Sequence, residues 1–384
     1  MAKCLFGLLV SNMTIRVLAI TEHSDLPETW QFIGLHNAGV ELRVICPDTA
    51  PHKQLLLNAG IKVTWLKLNS RFDSGGRVAI QSVLDEGEFD IVHVFNNKAL
   101  QNTLPLVKNT SIKLIAYRGI VGNVSVFDPI SWATYLNPRV DKIICVANAI
   151  RDFFKKLKFL WWHFPQDKAV TIYKGHDLSW YRKPAIPRST WGVPDDAFLL
   201  GCIANERPRK GLSYLVGALP GIARLGLNIH LLLIGSVNAK KTLAKIQQSP
   251  LKKNIHLTGY RSDAAQVLAA CDACILPAIK REGLPKAIIE GMVHRVTPIV
   301  TNTGGSPELI EPGVSGLVIE PASTGAISEA IGYLARNPVQ NHEMGIAAQA
   351  RIERDFNTVA TVEQTLALYR ELLQSGQRRS EEKA

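Results

Sequence analysis

No stretch of this sequence approaches the ~20 consecutive apolar residues of a membrane-spanning helix, so the chain is not expected to cross a bilayer. Cysteine is scarce: of six residues only Cys271 and Cys274 form a C-x-x-C pair, and no second pair completes a zinc site. That pair sits in LAACDACILP, a helix end running into a buried strand, so inert core thiols and a reduced, cytoplasmic protein are expected. Helix-turn-helix, zinc-finger and RNA-binding signatures are absent and the basic residues form no stripe, which argues against nucleic acid as partner. The opening MAKCLFGLLVSNM lacks a small-residue cleavage site after its short apolar run, and residues 1–12 read as an extended start.

What is present points elsewhere. A length of 384 residues exceeds what one hydrophobic core usually serves, so two domains are expected. The formal net charge of +11 implies an anionic partner: nucleic acid, acidic lipid or a phosphorylated substrate. Short β-branched runs alternate with helical periods through both halves. Strands are predicted at 14–20, 41–46, 61–65, 90–95, 113–117, 141–146 and 169–172, with helices at 26–37, 101–108 and 148–157. The proline-rich stretch 165–194 reads as a linker. Alternation then resumes, with strands at 198–204, 229–234, 255–258, 273–276 and 298–300 and a helix at 286–293. Apolar runs this continuous imply parallel strands buried on both faces. The reading is α/β, two Rossmann-like domains whose parallel sheets face an interdomain cleft. Residues 1–180 form the first, 181–357 the second, and 358–376 a closing amphipathic helix with a candidate place against the first domain. The polar tail 377–384 is expected to be disordered.

The most informative stretch is KREGLPKAIIEGMVHRVTPIVTNTGGSPELIEPGVSGLVIEP, from Lys280 to Pro321. It places Glu282 in a loop after a strand, then Gly283, Leu284, Pro285 and Lys286 at the start of a helix, with Glu290 within it. Free backbone N–H groups and the dipole at that helix end favour phosphate oxygens. A carboxylate on either side suits sugar hydroxyls; equally, Glu282 could cap the helix and Glu290 be a solvated position. A second element, Asn205-Glu206-Arg207-Pro208-Arg209-Lys210-Gly211, brings basic side chains to a strand's carboxyl end, where they suit a diphosphate.

These motifs, in this order, resemble the nucleotide-sugar site of retaining glycosyltransferases of family 4. Glu282 and Glu290 match the two glutamates of its E-x7-E motif, Thr303–Glu308 its Gly-Gly element, and Gly313–Val318 its G-x-x-G-L-V turn. The resemblance implies a GT-B fold and retaining transfer from a nucleotide-sugar, with Glu282 on the donor sugar, Glu290 on ribose and Lys210 on the diphosphate. The family's usual arginine falls at Asn205, and Arg207 is taken as its substitute. Gly259, Tyr260 and Arg261 stand where relatives hold the nucleobase. No cofactor or essential metal is implied, and the chain has no D-x-D tripeptide. Tyr173-Lys174-Gly175-His176-Asp177 stands where relatives carry N-G-V/H-D. The Gly-Gly loop of relatives is replaced by Glu22–Pro27, and Arg118 follows a strand where relatives often show a histidine. Arg118 and His176 are the candidates for the acceptor side. Arg295 replaces a glycine of relatives.

Residues 151–164, RDFFKKLKFLWWHF, read as a helix with Lys155, Lys156 and Lys158 on one side and Trp161 and Trp162 among the aromatics on the other. That pattern suits an acidic membrane surface, though a core-packing helix has the same look. The expected partners are a nucleotide-sugar, a glycan or lipid-linked acceptor and the membrane's inner face, in lipopolysaccharide or other envelope-glycan synthesis. The rival readings are an epimerase or phosphorylase on the same fold, or a non-catalytic sugar-binding protein.

Overall fold

The computed structural model describes residues 14–203 and 206–381, with side chains to Ser375. The extended-start reading, Asn205 and the last three residues lie outside these. Short apolar runs rich in Val and Ile form the strands, and turn residues end them. In chain order these are β1 (Arg16–Ile20), β2 (Glu41–Cys46), β3 (Lys62–Trp65), β4 (Ile91–Val94), β5 (Lys113–Arg118), β6 (Lys142–Cys145), a small hairpin β7 (Lys158–Phe159) and β8 (Trp162–His163), and β9 (Ala169–Thr171). The second series is β10 (Phe198–Ile203), β11 (Ile229–Ile234), β12 (Ile255–Gly259), β13 (Ala273–Leu276), β14 (Thr297–Thr301) and β15 (Leu317–Ile319). They assemble into a seven-stranded sheet of order β3-β2-β1-β4-β5-β6-β9 and a six-stranded sheet of order β12-β11-β10-β13-β14-β15. Every neighbouring pair in both sheets is parallel. Central strands such as β4, β6, β11 and β13 are buried at every residue, as helices on both faces require. Strand order reverses between β1 and β4 and again between β10 and β13, and in such sheets ligands sit beyond the carboxyl ends of the strands flanking that switch.

The helix Thr358–Glu381 leaves the second sheet's domain and docks on the first. Leu368, Tyr369 and Leu372 share one core with Val17, Phe32 and Ile144. Tyr369 Oη lies 2.8 Å from His93 Nδ1, and Gln31 Nε2 donates to Thr365 Oγ1 at 3.1 Å.

Three expectations are corrected. The helix continues to Glu381, so 377–381 is not disordered tail; Gln, Arg, Ser and Glu there carry little helix penalty and no proline intervenes. The helix placed at 101–108 runs Asn97–Thr103 instead, because Asn96 caps it by accepting from Ala99 N. The segment 151–164 is not one helix. A helix ends at Lys155 and the chain turns through the β7–β8 hairpin, with Leu160 at φ 52°. Phe154 and Phe164 are pulled into the core, and Trp162 packs on Trp132 with ring centres 4.7 Å apart. Alternate side chains thus split between core and solvent. The helices 74–85, 324–336 and 338–355 are elements the sequence reading did not place.

Tyr369→Ala is expected to cost about 3–5 kcal/mol, from lost burial and the cavity it leaves. Tyr369→Phe, which strands the buried His93 Nδ1, should cost about 1–3 kcal/mol. Urea unfolding checks both; changes under 0.5 kcal/mol would mean the helix is not part of that core.

Candidate functional site

The site is assembled where the carboxyl-end loops of the two sheets meet. After β13 the chain enters Ile279–Pro285, in which Arg281 takes a left-handed φ of 62°, a strained setting for a residue with a side chain. The next residue, Glu282, is only 4% exposed. Its two oxygens are held separately: Oε1 by Arg209 Nη1 at 2.6 Å and Oε2 by Lys210 Nζ at 3.0 Å. Both cations lie on the turn Pro208–Lys210 after β10. Gly211 follows at φ 70°, and a Cβ there would lie 1.8 Å from Pro277 O, so the K-G pair is forced by close packing against the strand-end loop. Two cations converge on one carboxylate at the mouth of the second domain.

The sequence-predicted residues divide. Glu282 and Lys210 are brought together. Arg207 is not part of the cluster; it is exposed and serves the turn through its carbonyl, which accepts from Lys210 N. Arg209 is the guanidinium that meets Glu282, and the sequence reading missed it because a loop's residue order does not say which side chain turns inward. Glu290 lies mostly buried on the helix Lys286–Val293, 3.2 Å from Lys286 Nζ. Burial raises its carboxyl above the ordinary glutamate value, against the pull of Lys286. Gly259 has φ 69° and hydrogen-bonds Gly235 N through its carbonyl; Tyr260 is exposed, and Arg261 is taken up by Asp263 at 2.6 Å.

Arg118 is turned into its own domain. It is buried, donates from Nε to Ile120 O at 3.1 Å and from Nη2 to Gly122 O, and lies over the Tyr135 ring at 4.9 Å. Its work is to hold the 119–122 loop, which carries the first domain's surface to the second. His176 does line the cleft; it is buried, its Nδ1 lies 2.8 Å from Tyr181 Oη, and burial pushes its pKa down to about 3. Arg295 closes the helix Lys286–Val293 in the left-handed region at φ 62°, its N–H bonding Met292 O and its Nε bonding Gln349 Oε1. That conformation is the reason glycine suits the position. Cys271 and Cys274 are buried free thiols with pKa values pushed up by desolvation.

The two domains touch directly. Gly283 packs so closely that a Cβ would lie 2.1 Å from Gly119 O. Glu308 reaches across the cleft and accepts from Asn148 N and Ala149 N, both at 2.7 Å, and from Tyr173 Oη at 2.9 Å. These amides open the helix Asn148–Lys155, whose own N-cap residue supplies no side-chain bond. One domain therefore caps a helix of the other. Between them lies a cleft of about 160 Å³ lined by Asp25, Tyr117, Lys174 and His176 on one side and Leu284 and Lys286 on the other.

Two doubly wound parallel sheets meeting across a cleft, with paired cations held at its mouth, define the two-domain GT-B architecture. Residues 33–180 match glycosyltransferase family 4 and residues 187–351 match the glycosyl transferases group 1 family; the chain belongs to these glycosyltransferases. A GDP-mannose-dependent monoacylated alpha-(1-6)-phosphatidylinositol monomannoside mannosyltransferase of Corynebacterium glutamicum is 29% identical over 178 residues, 44% of this chain and 46% of that protein. The chain spans about half the length of the first curated relatives it matches. An Escherichia coli UDP-Gal:alpha-D-GlcNAc-diphosphoundecaprenol alpha-1,3-galactosyltransferase is 23% identical over 360 residues, covering 88% of this chain and 91% of that one. Among solved structures, a Rickettsia africae glycosyltransferase superposes with TM-score 0.77 at 19% identity, over 94% of this chain and 99% of that one. An Anabaena protein, HepE, in complex with UDP and glucose gives 0.75 at 19% identity, over 93% and 100%.

Glu308→Ala is expected to loosen the domain contact by about 1–3 kcal/mol, the range for charge-assisted hydrogen bonds to amides. Small-angle scattering should report a wider particle, with Glu308→Gln in between. An unchanged profile in the alanine variant would remove the clasp role.

Proposed function

We propose that this protein transfers a sugar from a nucleotide-diphosphate sugar to a hydroxyl of a glycan or lipid-linked acceptor, with retention of anomeric configuration, in envelope-glycan synthesis. The observation that carries the reading is the Arg209–Glu282–Lys210 cluster. A diphosphate arriving beside Arg209 and Lys210 competes for their charge and frees Glu282 to accept hydrogen bonds from the donor sugar. Glu290 holds ribose, and Tyr260 lies open for contact with the base. The acceptor oxygen forms its bond to the anomeric carbon on the face from which the diphosphate departs. The electron pair of the breaking C–O bond leaves with the diphosphate, and a phosphate oxygen takes the acceptor's proton. Arg209 and Lys210 stabilise the departing charge, so neither a metal nor another cofactor is needed. The lipid-linked and UDP-sugar chemistry named for relatives and structural neighbours supports this substrate class.

Glu290→Ala should raise the donor KM, because a ribose contact is made equally in ground and transition states. Glu282→Ala should lower kcat, since its contact strengthens as charge develops. Lys210→Ala should cost about 2–4 kcal/mol of barrier, and Arg209→Ala more than Arg207→Ala. Because burial raises the Glu290 pKa, donor affinity should fall with decreasing pH sooner than for an ordinary glutamate. Initial rates with UDP-, GDP- and ADP-sugars measure all of these; equal small effects from the two glutamates would sink the assignment.

The same reading places the protein on the acidic inner face of the membrane. No helix among the described residues is long and apolar enough to cross it. The β7–β8 hairpin supports surface contact: Trp161 is 86% exposed and Leu160 70%, Phe127 beside them is 79% exposed, and Lys156 and Lys158 lie exposed on the approach. Trp162 is turned inward, so Leu160 and Trp161 form the contact. Each lysine near an anionic leaflet contributes about 1 kcal/mol, and tryptophan favours that depth. Replacing Lys155, Lys156 and Lys158 with glutamate should abolish sedimentation with anionic vesicles. High salt should weaken it, and binding unchanged by the replacement would end this placement.

A further inference from the structure

The cleft holds a second charged cluster that the donor chemistry leaves unused. Asp25 caps the helix Leu26–Asn37, accepting from Glu28 N at 3.1 Å, and binds Lys174 Nζ at 2.7 Å. The same ammonium lies 3.8 Å from Glu28 Oε2 and 5.8 Å from the Tyr117 ring centre. Glu28 is buried and takes the Thr21 hydroxyl; burial pushes its carboxyl up to about 7, with Lys174 pulling the other way. Burial also opposes the charge on Lys174, yet Tyr117, Glu28 and Asp25 together keep its pKa above that of a free lysine. Asp25 is not consumed by these bonds: its side chain is 46% exposed and lines the cleft opposite Leu284 and Lys286, directly after the Glu282–Gly283 pair.

Beyond His176, which lines the cleft, stand two aromatic rings. Trp180 lies 6.0 Å from the His176 ring and stacks on Trp30 at 6.3 Å, and Trp30 stands one and a half turns along the helix from Asp25. A half-open carboxylate beside an ammonium suits hydroxyl groups, which donate to one and accept from the other. Flat, half-buried indoles suit the C–H face of a pyranose ring. The charge count narrows the ligand further. Lys174 is matched by Asp25 and Glu28, Lys286 is paired with Glu290 at 3.2 Å, and burial keeps His176 neutral. On this wall two carboxylates share one ammonium, so a phosphate or carboxylate would sit against Asp25.

We propose that Asp25 and Lys174, with Trp180 extending the site beyond His176, bind the terminal sugar of the acceptor, and that this sugar is an uncharged, hydroxyl-rich pyranose. Asp25 acts as a positioning residue: it orients the attacking hydroxyl while the proton still departs with the diphosphate. The word acceptor rests on the transferase reading; the sugar site rests on the cluster itself. The test uses the full chain saturated with UDP and titrates methyl glucoside, methyl mannoside, methyl galactoside and methyl N-acetylglucosaminide, followed by saturation-transfer NMR and tryptophan fluorescence. Methyl glucuronide and glucose 6-phosphate form the charged arm. At least one neutral glycoside should bind at millimolar concentration, about tenfold or more tighter than either charged sugar, and Asp25→Asn or Trp180→Ala should weaken it about tenfold. Calorimetry of UDP binding should not change, and in turnover Asp25→Asn should raise the acceptor KM without moving the donor KM. The proposal is overturned if no neutral glycoside binds, if a charged sugar binds better, or if both variants bind like wild type. Glycoside binding that depends on Asp25 without any sugar transfer would sink the transferase reading and leave this site standing. Transfer that ignores both variants would do the reverse.

Discussion

The close approach of Gly283 to Gly119 O, clasped by Glu308 on the helix Asn148–Lys155, is the contact from which the rest of the site follows. Neither domain contains a complete site. The first supplies Asp25, Tyr117, Lys174 and His176; the second supplies the cations, the two glutamates and the helix start at Lys286. Only when the loops touch do Asp25, Tyr117, Lys174 and His176 face Leu284 and Lys286 across one cleft. The helix Thr358–Glu381 ties the two sheets a second time, because the chain that leaves the second domain finishes in the first domain's core.

Electrostatic balance explains how so basic a chain keeps a defined cleft. The cations of the two clusters are paired with carboxylates: Arg209 and Lys210 share Glu282, Lys174 shares Asp25 and Glu28, and Lys286 has Glu290. Pairing lowers the cost of holding these charges in a partly desolvated space, and removing one partner would leave the other exposed to that cost.

The positions where the sequence reading failed share a cause. Arg207 and Arg209 are two residues apart in a turn, and only the fold of Pro208–Lys210 against Pro277 decides which one meets Glu282. Arg118 stands at the end of β5, where a ligand contact is reasonable, but its loop doubles back and takes donors from its Nε and Nη2. The segment 151–164 carries helix-like and strand-like alternation at once, and the burial of Phe154 and Phe164 breaks it into a helix and a hairpin. In each case the amino-acid types were compatible with more than one direction of the side chain.

By itself the sequence determined most strands of the two sheets, though not β15 or the β7–β8 hairpin, together with their parallel burial and the two-domain division. Those are local or periodic properties: continuous apolar runs, helix starts at Leu26 and Lys286, and the spacing of Glu282 from Glu290 along one loop and helix. The tertiary structure alone decided which groups become neighbours across long separations: Arg209 with Glu282, Glu308 with the amides of Asn148 and Ala149, Lys174 with Asp25, and Tyr369 with His93. Such pairs depend on how two sheets are set against each other. That setting is a sum of many small packing contacts spread over the whole chain, and no single stretch of sequence carries it.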